Sequence, residues 1–331
     1  MKKATRTLLA AMFLCFATAC GNTDTAHTSS NTEVQNSSEN SETTTTTPKE
    51  TEQENNGTTT EQTESVAEES QTQDNNTSSV STFSEVIIVD NDYCTMKIME
   101  IDEDNLWGYT LKAYIENKTA DKTLMFSMDD VAVNGIMCDP FWAKSLMPGA
   151  KSNEEISFSD SKLDEYGISD IFEITGMYRV YDDDDWLADN LADDDFTIYP
   201  KGEEYAKTSS QPLSNSGNVL FETDTCKMVV LGYDSDSLYG YTMKVYLENK
   251  SDNKLMFSIE DATVNGFSAD PFWAKSIPAG KSAYSDIDWS SSDFEANGIT
   301  DVETITMILH VRDDDDWLGD YFINDTYTVN P

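Results

Sequence analysis

The chain is poor in cations. Only 21 Lys and Arg stand against 62 Asp and Glu in 331 residues, a formal net charge of −41. That balance argues against nucleic acid as a partner, whose phosphates the surface would repel, and against unaided docking on an anionic membrane. Histidine is scarcer: His27 and His310 are the two in the sequence. They leave no material for a multi-histidine metal centre. A Ser/His/Asp arrangement would have to use His310, which lies inside a period-two segment and has Arg179 at the matching place of the duplication described below. Cysteine is sparse, at five, and shows no zinc-ligand spacing. Long apolar runs are missing as well: the stretch over residues 8–19 is too short to cross a bilayer.

What is present begins with an address. Lys2, Lys3 and Arg6 precede that apolar stretch, which closes on Ala17-Thr18-Ala19 before Cys20, so residues 1–19 read as an export leader. The ending resembles the lipobox of bacterial lipoproteins, with Ala17 where Leu is commoner. The resemblance implies a leader cut before Cys20, a Cys20 thiol carrying diacylglycerol with palmitate-type chains, and attachment to the membrane through that lipid anchor. An ordinary secretory leader cleaved near Ala19 is the alternative. Cys94, Cys138 and Cys226 then remain, an odd number for an exported chain. A Cys94–Cys138 disulfide is one reading. Small buried side chains at Cys94 and Cys226 are the favoured one, because the duplicate of Cys138 is Ala269.

Residues 20–82 are Thr, Ser, Glu, Gln and Asn with almost no large apolar side chain. Such a segment cannot bury enough surface to offset its ordering entropy, so a disordered stalk is expected, a coil of roughly 45 Å at about 5–6 Å per √n. The leader contributes +3 and the stalk −11, which leaves −33 on residues 83–331. The acidity belongs mainly to the part that folds.

That part is duplicated. Gly-Tyr-Thr at 108–110 recurs at 240–242, Glu-Asn-Lys at 116–118 at 248–250, and Val-Asn-Gly at 133–135 at 264–266. Asp-Pro-Phe-Trp-Ala-Lys-Ser at 139–145 recurs at 270–276, and Asp-Asp-Asp-Asp-Trp-Leu at 182–187 at 313–318. Repeat 1 covers residues 83–200, a polar linker 201–217, and repeat 2 residues 218–331. Tyr109, Leu111, Ala113 and Ile115 alternate with polar neighbours, as do Tyr241, Met243, Val245 and Leu247, and Ile305, Met307, Leu309 and Val311. Period two with one apolar face predicts antiparallel sheet. Asn134-Gly135 and Asn265-Gly266 predict tight hairpins, and Pro148-Gly149 and Ala279-Gly280 a further turn. About seven strands per repeat suit two tandem immunoglobulin-like β-sandwich domains in an all-β chain, with a small barrel as the alternative. Short helical turns are expected only near residues 163–166 and 294–297. Lipobox, stalk and duplicated small β-domains together resemble surface lipoproteins of Gram-positive bacteria, particularly of anaerobic Firmicutes. That resemblance implies an extracytoplasmic, membrane-attached protein and carries over no catalytic residue.

Two repeated features are candidates for chemistry. Asp182, Asp183, Asp184 and Asp185, with Asp313, Asp314, Asp315 and Asp316 in the second repeat, offer the oxygen ligands that Ca²⁺ prefers, without the spacing of an EF-hand loop. The plain reading is a solvated acidic hairpin with Trp186 and Trp317 folded back into the core. Asp139, Phe141 and Trp142, with Asp270, Phe272 and Trp273, form the second candidate. Adjacent aromatics on a strand point to opposite faces, so one ring packs inside while the other faces a ligand; the plain reading is a core Trp beside a rigid Asp-Pro corner. Trp107 and Tyr239 match in the same way. The duplication and the stalk favour non-enzymatic binding of a cell-envelope or host protein, peptide or glycan, with no cofactor unless Ca²⁺ binds. Alternatives are an acidic spacer stiffened by divalent cations and, more weakly, an accessory to cell-wall polymer hydrolysis.

Overall fold

The computed structural model describes residues 83–331 apart from Trp186 and Tyr239. The expectations for the leader, Cys20 and the stalk, and those for Trp186 and Tyr239, lie outside the described residues. Repeat 1 contains β1 (Val86–Asp90), β2 (Cys94–Asp102), β3 (Tyr109–Asn117), β4 (Leu124–Val133), β5 (Ile136–Met137), β6 (Ala143–Leu146), β7 (Lys151–Phe158), α1 (Asp160–Glu165), β8 (Ile174–Asp182) and β9 (Ala192–Ile198). The linker holds α2 (Glu203–Thr208). Repeat 2 contains β10 (Asn218–Glu222), β11 (Cys226–Ser237), β12 (Gly240–Asn249), β13 (Leu255–Val264), β14 (Phe267–Ser268), β15 (Ala274–Ile277), β16 (Ser282–Ser290), α3 (Ser291–Asn297), β17 (Ile305–Asp313) and β18 (Ile323–Val329). The extra strands over the expected seven are mostly short: β5 and β14 have two residues each, β6 and β15 four.

Both repeats fold alike. In repeat 1 the strands β1-β2-β3-β7 form one sheet, and β5-β4-β8-β9, with β6 also on β4, form the other. Repeat 2 reproduces this as β10-β11-β12-β16 and β14-β13-β17-β18, with β15 on β13. The sheets are open, so the barrel alternative fails. In each repeat the two sheets share one core. Met96, Ile98, Leu111 and Phe158 from one sheet pack with Phe126, Val180 and Phe196 from the other, and Trp289 is among the largest fully buried side chains of repeat 2. Each such side chain contributes roughly 1.5–3 kcal/mol of burial. The alternating residues of β3, β12 and β17 are buried as their period requires.

Three of the repeated motifs are explained by folding alone. Gly108 and Gly240 have φ of 101° and 117°, and a Cβ there would meet the carbonyl oxygens of Phe158 and Trp289 at 2.1 Å. Asn134-Gly135 and Asn265-Gly266 are two-residue turns with φ positive at both positions, the type I′ geometry that matches strand twist. Asn117 and Asn249 are buried, and their amide groups tie loops together: Asn117 donates to the carbonyls of Lys122 and Leu146 at 2.8 Å, and Asn249 to those of Asn253 (2.7 Å) and Ile277 (2.8 Å). The neighbouring Lys118 and Lys250 pair with Asp90 and Glu222 on the first strand of each repeat.

The repeats are joined edge to edge. β5 pairs in parallel with β16, which makes a nine-stranded sheet spanning both. The Ser282 N–H donates to the Gly135 carbonyl at 2.9 Å, Lys254 pairs with Asp130 at 2.7 Å, and Tyr166 stacks on Tyr284 with ring centroids 4.9 Å apart. The linker follows this junction: Asn134 donates to the Gln211 side chain at 3.0 Å, and the Ser214 N–H to the Tyr284 hydroxyl at 3.0 Å. Its helix α2 was not legible in a Ser- and Gly-rich segment.

Candidate functional site

The Asp-Pro-Phe-Trp corner sits between β5 and β6 in repeat 1 and between β14 and β15 in repeat 2, off the strands. Its leading end is fixed by the fold in both repeats. Cys138 N–H donates to the Val131 carbonyl at 2.9 Å, and Ala269 N–H to the Ala262 carbonyl at 3.0 Å. Proline confines the preceding aspartate to extended backbone, and that aspartate then caps the turn. Asp139 Oδ1 accepts from Phe141 N–H at 2.8 Å, and Asp270 Oδ1 from Phe272 N–H at 3.1 Å. The carboxyl of Asp139 is pushed above its ordinary value, first by loss of water, with the Phe141 N–H opposing and the charges of Asp129 and Asp130 adding.

The turn forces the phenylalanine into the left-handed region, φ 50° at Phe141 and 49° at Phe272. A bulky residue there costs on the order of 1–3 kcal/mol. Neither ring recovers that cost by burial: they are 92% and 91% exposed. The following tryptophans turn inward instead. Trp142 is half-buried against the first core and Trp273 against the second, and Trp273 Nε1 donates to Ser285 Oγ at 3.0 Å. Of the two aromatics, tryptophan is thus the one turned toward the core, beside the Asp-Pro corner. The corner is a turn, the strand alternation does not apply, and phenylalanine is the ring presented to solvent.

The acidic segments are also placed. Asp182 is buried at the end of β8 and ion-pairs with Lys122, whose hydrogen bond holds its carboxyl below the usual range. Asp183 accepts from Ser145 Oγ at 2.6 Å. In repeat 2, Asp313 accepts from Asp315 N–H at 2.9 Å, Asp314 lies 3.8 Å from Lys254, and Asp316 accepts from Leu318 N–H at 3.3 Å. Among the described residues no three acidic, histidine or cysteine side chains group to hold a metal. Asp184 and Asp185 serve the turn through backbone bonds to Asp182. Trp317 is not in the core: it is 50% exposed, with the Arg312 guanidinium 3.9 Å above its ring. The plain reading of that segment fails at this residue because Arg312, itself near the surface, takes the ring face.

His310 lies on β17 with Nδ1 3.4 Å from Glu260, and its counterpart Arg179 pairs with Asp129 at 2.7 Å. The position is a cross-strand base–acid pair in both repeats. Cys94, Cys138 and Cys226 are buried thiols outside any disulfide, and burial pushes Cys94 and Cys138 up to about 11. Sequence reasoning missed Leu106 and Leu238, exposed at corresponding hairpin tips with Trp107 beside Leu106. It also missed a shallow groove on the outer face of β1–β3 lined by Lys97, Met99 and Tyr114. Both are surface features without a period of their own.

Among the described residues no helix is long and apolar enough to cross a membrane. No protein-family model and no curated protein matches the sequence. Among solved structures, the chain is similar to the exo-chitosanase CsxA of Amycolatopsis orientalis, at 11% identity over 70% of this chain and a TM-score of 0.20. It spans 26% of that enzyme's length, and so slight a likeness carries no argument.

Proposed function

We propose that the chain is a lipid-anchored, extracytoplasmic protein that displays two immunoglobulin-like β-sandwiches and binds a protein, peptide or glycan without chemically transforming it. The observation that carries the binding reading is the pair Phe141 and Phe272. Each ring is held out in solvent on left-handed backbone by its own aspartate, at equal cost in both repeats. Strain combined with an unburied aromatic has no stabilising use, whereas an exposed rigid ring is what an interface anchor requires. Two such rings on one chain give avidity wherever both reach the same ligand.

The immunoglobulin-like reading is supported by strand order. With β2, β3 and β7 as A, B and E, and β4, β8 and β9 as C, F and G, the two sheets share the A-B-E and C-F-G orders of a constant domain, while no strand of the same repeat lies beside E in the place of D. β1 lies outside A, and β5 and β6 lie beside C. Anchoring and location rest on the residues leading to Cys20 and on the stalk composition. The test is retention of the full chain on glycan arrays and on envelope protein extracts, beside a Phe141→Ser/Phe272→Ser variant. Retention that the double substitution abolishes supports the reading; no retention on either, or retention indifferent to it, removes it. Mass spectrometry of the native N-terminus tests Cys20 separately.

A further inference from the structure

We infer that copies of this chain associate head to tail, the open β14 edge of repeat 2 receiving strand β7 of repeat 1 from a second copy. The backbone pairing that would form is already present once within the chain. There the β4–β5 hairpin of repeat 1 receives β16 of repeat 2, through Ser282 N–H to the Gly135 carbonyl, Lys254 to Asp130, and Met137 packed against the second core. Such a contact joins two different surfaces. It therefore leaves one of each kind unused in a two-repeat chain. The unused acceptor is the β13–β14 hairpin, and the unused donor is β7, which pairs with β3 alone.

The acceptor is preformed. Asp261, Asn265 and Gly266 have φ of 49°, 51° and 84°, against 52°, 52° and 83° for Asp130, Asn134 and Gly135 in the occupied hairpin. Yet Ile136 is fully buried under its partner, while its counterpart Phe267 is 49% exposed. Asp261 is exposed and has no ion pair among the described residues, where Asp130 is met by Lys254. The donor begins at Lys151, the counterpart of Ser282; its ammonium pairs with Glu116 at 3.0 Å within the chain, and on docking it would bring a second carboxylate, Asp261, within its reach and its alkyl stem toward Phe267.

Thr123 stands where Lys254 does and Ser268 where Met137 does, so the charge and the apolar contact at the new junction would come from Lys151 and Phe267 instead; two further positions change in matched pairs. Where Tyr166 stacks on Tyr284 inside the chain, the open faces carry Asn297 and Asn153, an amide for an amide. Where Lys281 lies 3.8 Å from Glu173, they carry Ala150 and Thr304, neutral for neutral. Neither change leaves a buried charge or an unmatched ring across the new junction. A net charge of −41 opposes assembly at low ionic strength, so screening should favour it.

The experiment uses the full chain with Cys15→Ser and Cys20→Ser, which removes the thiols of the N-terminal segment. One variant carries Lys151→Cys and another Phe267→Cys; strand partners lie within disulfide reach. Oxidising the two variants mixed should give a cross-linked pair that neither gives alone. Sedimentation velocity of the chain without these two cysteines should show a mass average that rises with protein concentration and with salt, and Phe267→Lys should hold it at the monomer. Absence of the mixed cross-link, or equal cross-linking of either variant alone, overturns the proposal, as does a monomer at every concentration and salt. Loss of glycan or envelope binding leaves these readouts untouched, so the two claims fail independently.

Discussion

Repeat 1 and repeat 2 keep the same strand order and the same Asn-Gly turns, and differ where one is covered and the other is open. The strand β16, under its neighbour, carries Ser282 and Tyr284; the same strand in repeat 1, β7, is open and carries Lys151 and Asn153. Ile136 and Met137 are covered, and their counterparts Phe267 and Ser268 are exposed. The strained Phe141 and Phe272 corners, by contrast, do not diverge at all. Positions that change with their surroundings report packing. A costly conformation that persists in both surroundings needs another cause, and ligand binding is the one proposed.

The strongest way to break the comparison is through the cores. Trp289→Ala should cost about 3–5 kcal/mol, and Phe158→Ala at the matching place a similar amount. Calorimetry should show both variants melting in one shared transition, because the nine-stranded sheet couples the repeats; two separated transitions would contradict that coupling.

A smaller effect concerns acid. Hydrogen bonding to Lys122 lowers the folded pKa of Asp182 below its ordinary 3.8. Its contribution is therefore present above pH 3.8 and lost as pH falls through the lower folded value. Lys122→Met should destabilise the chain near neutrality and flatten the pH dependence of melting below pH 4. An unchanged acid profile would remove Asp182 from that account. Among the described residues Asp313, the counterpart of Asp182 in repeat 2, has no such ion pair; Lys254 approaches its neighbour Asp314 at 3.8 Å.

Smaller still is the effect of the exposed corners on stability. Asn tolerates left-handed backbone, so Phe141→Asn and Phe272→Asn should leave melting unchanged or raise stability by up to about 1 kcal/mol each. A loss of several kcal/mol at either position would show a packed ring and end the binding argument. The smallest expected effect is that of calcium. A useful site at a hundredfold excess over Kd would add about 2.7 kcal/mol. Because the carboxylates of Asp182, Asp183, Asp313, Asp314 and Asp316 already serve turns, Ser145 and lysines, melting with millimolar Ca²⁺ and with chelator should coincide; a clear upward shift with Ca²⁺ would support the cation-stiffened spacer.

Much of the fold was legible because its determinants are local. Apolar alternation in β3, β12 and β17, the Asn-Gly turns and the duplication itself are written in neighbouring residues. The corner was legible as a candidate but not in its geometry: the aromatics read as neighbours on a strand, whereas the Asp139 and Asp270 side chains bend the segment into a turn that presents Phe and half-buries Trp. The junction between repeats was not legible. It depends on Ser282, Gly135, Tyr166 and Tyr284, residues far apart in sequence whose meeting is a property of the assembled sheets.

The central claim is that Phe141 and Phe272 are anchors for a ligand. Its most direct test is cosedimentation of the full chain with insoluble peptidoglycan and with envelope protein extract, comparing wild type with Phe141→Asn/Phe272→Asn at equal stability. The account predicts that wild type is retained on one of the two materials, and that the double variant loses at least tenfold in affinity, given that each anchor residue contributes on the order of 2 kcal/mol. Retention of both proteins to the same extent, or of neither on either material, would contradict it.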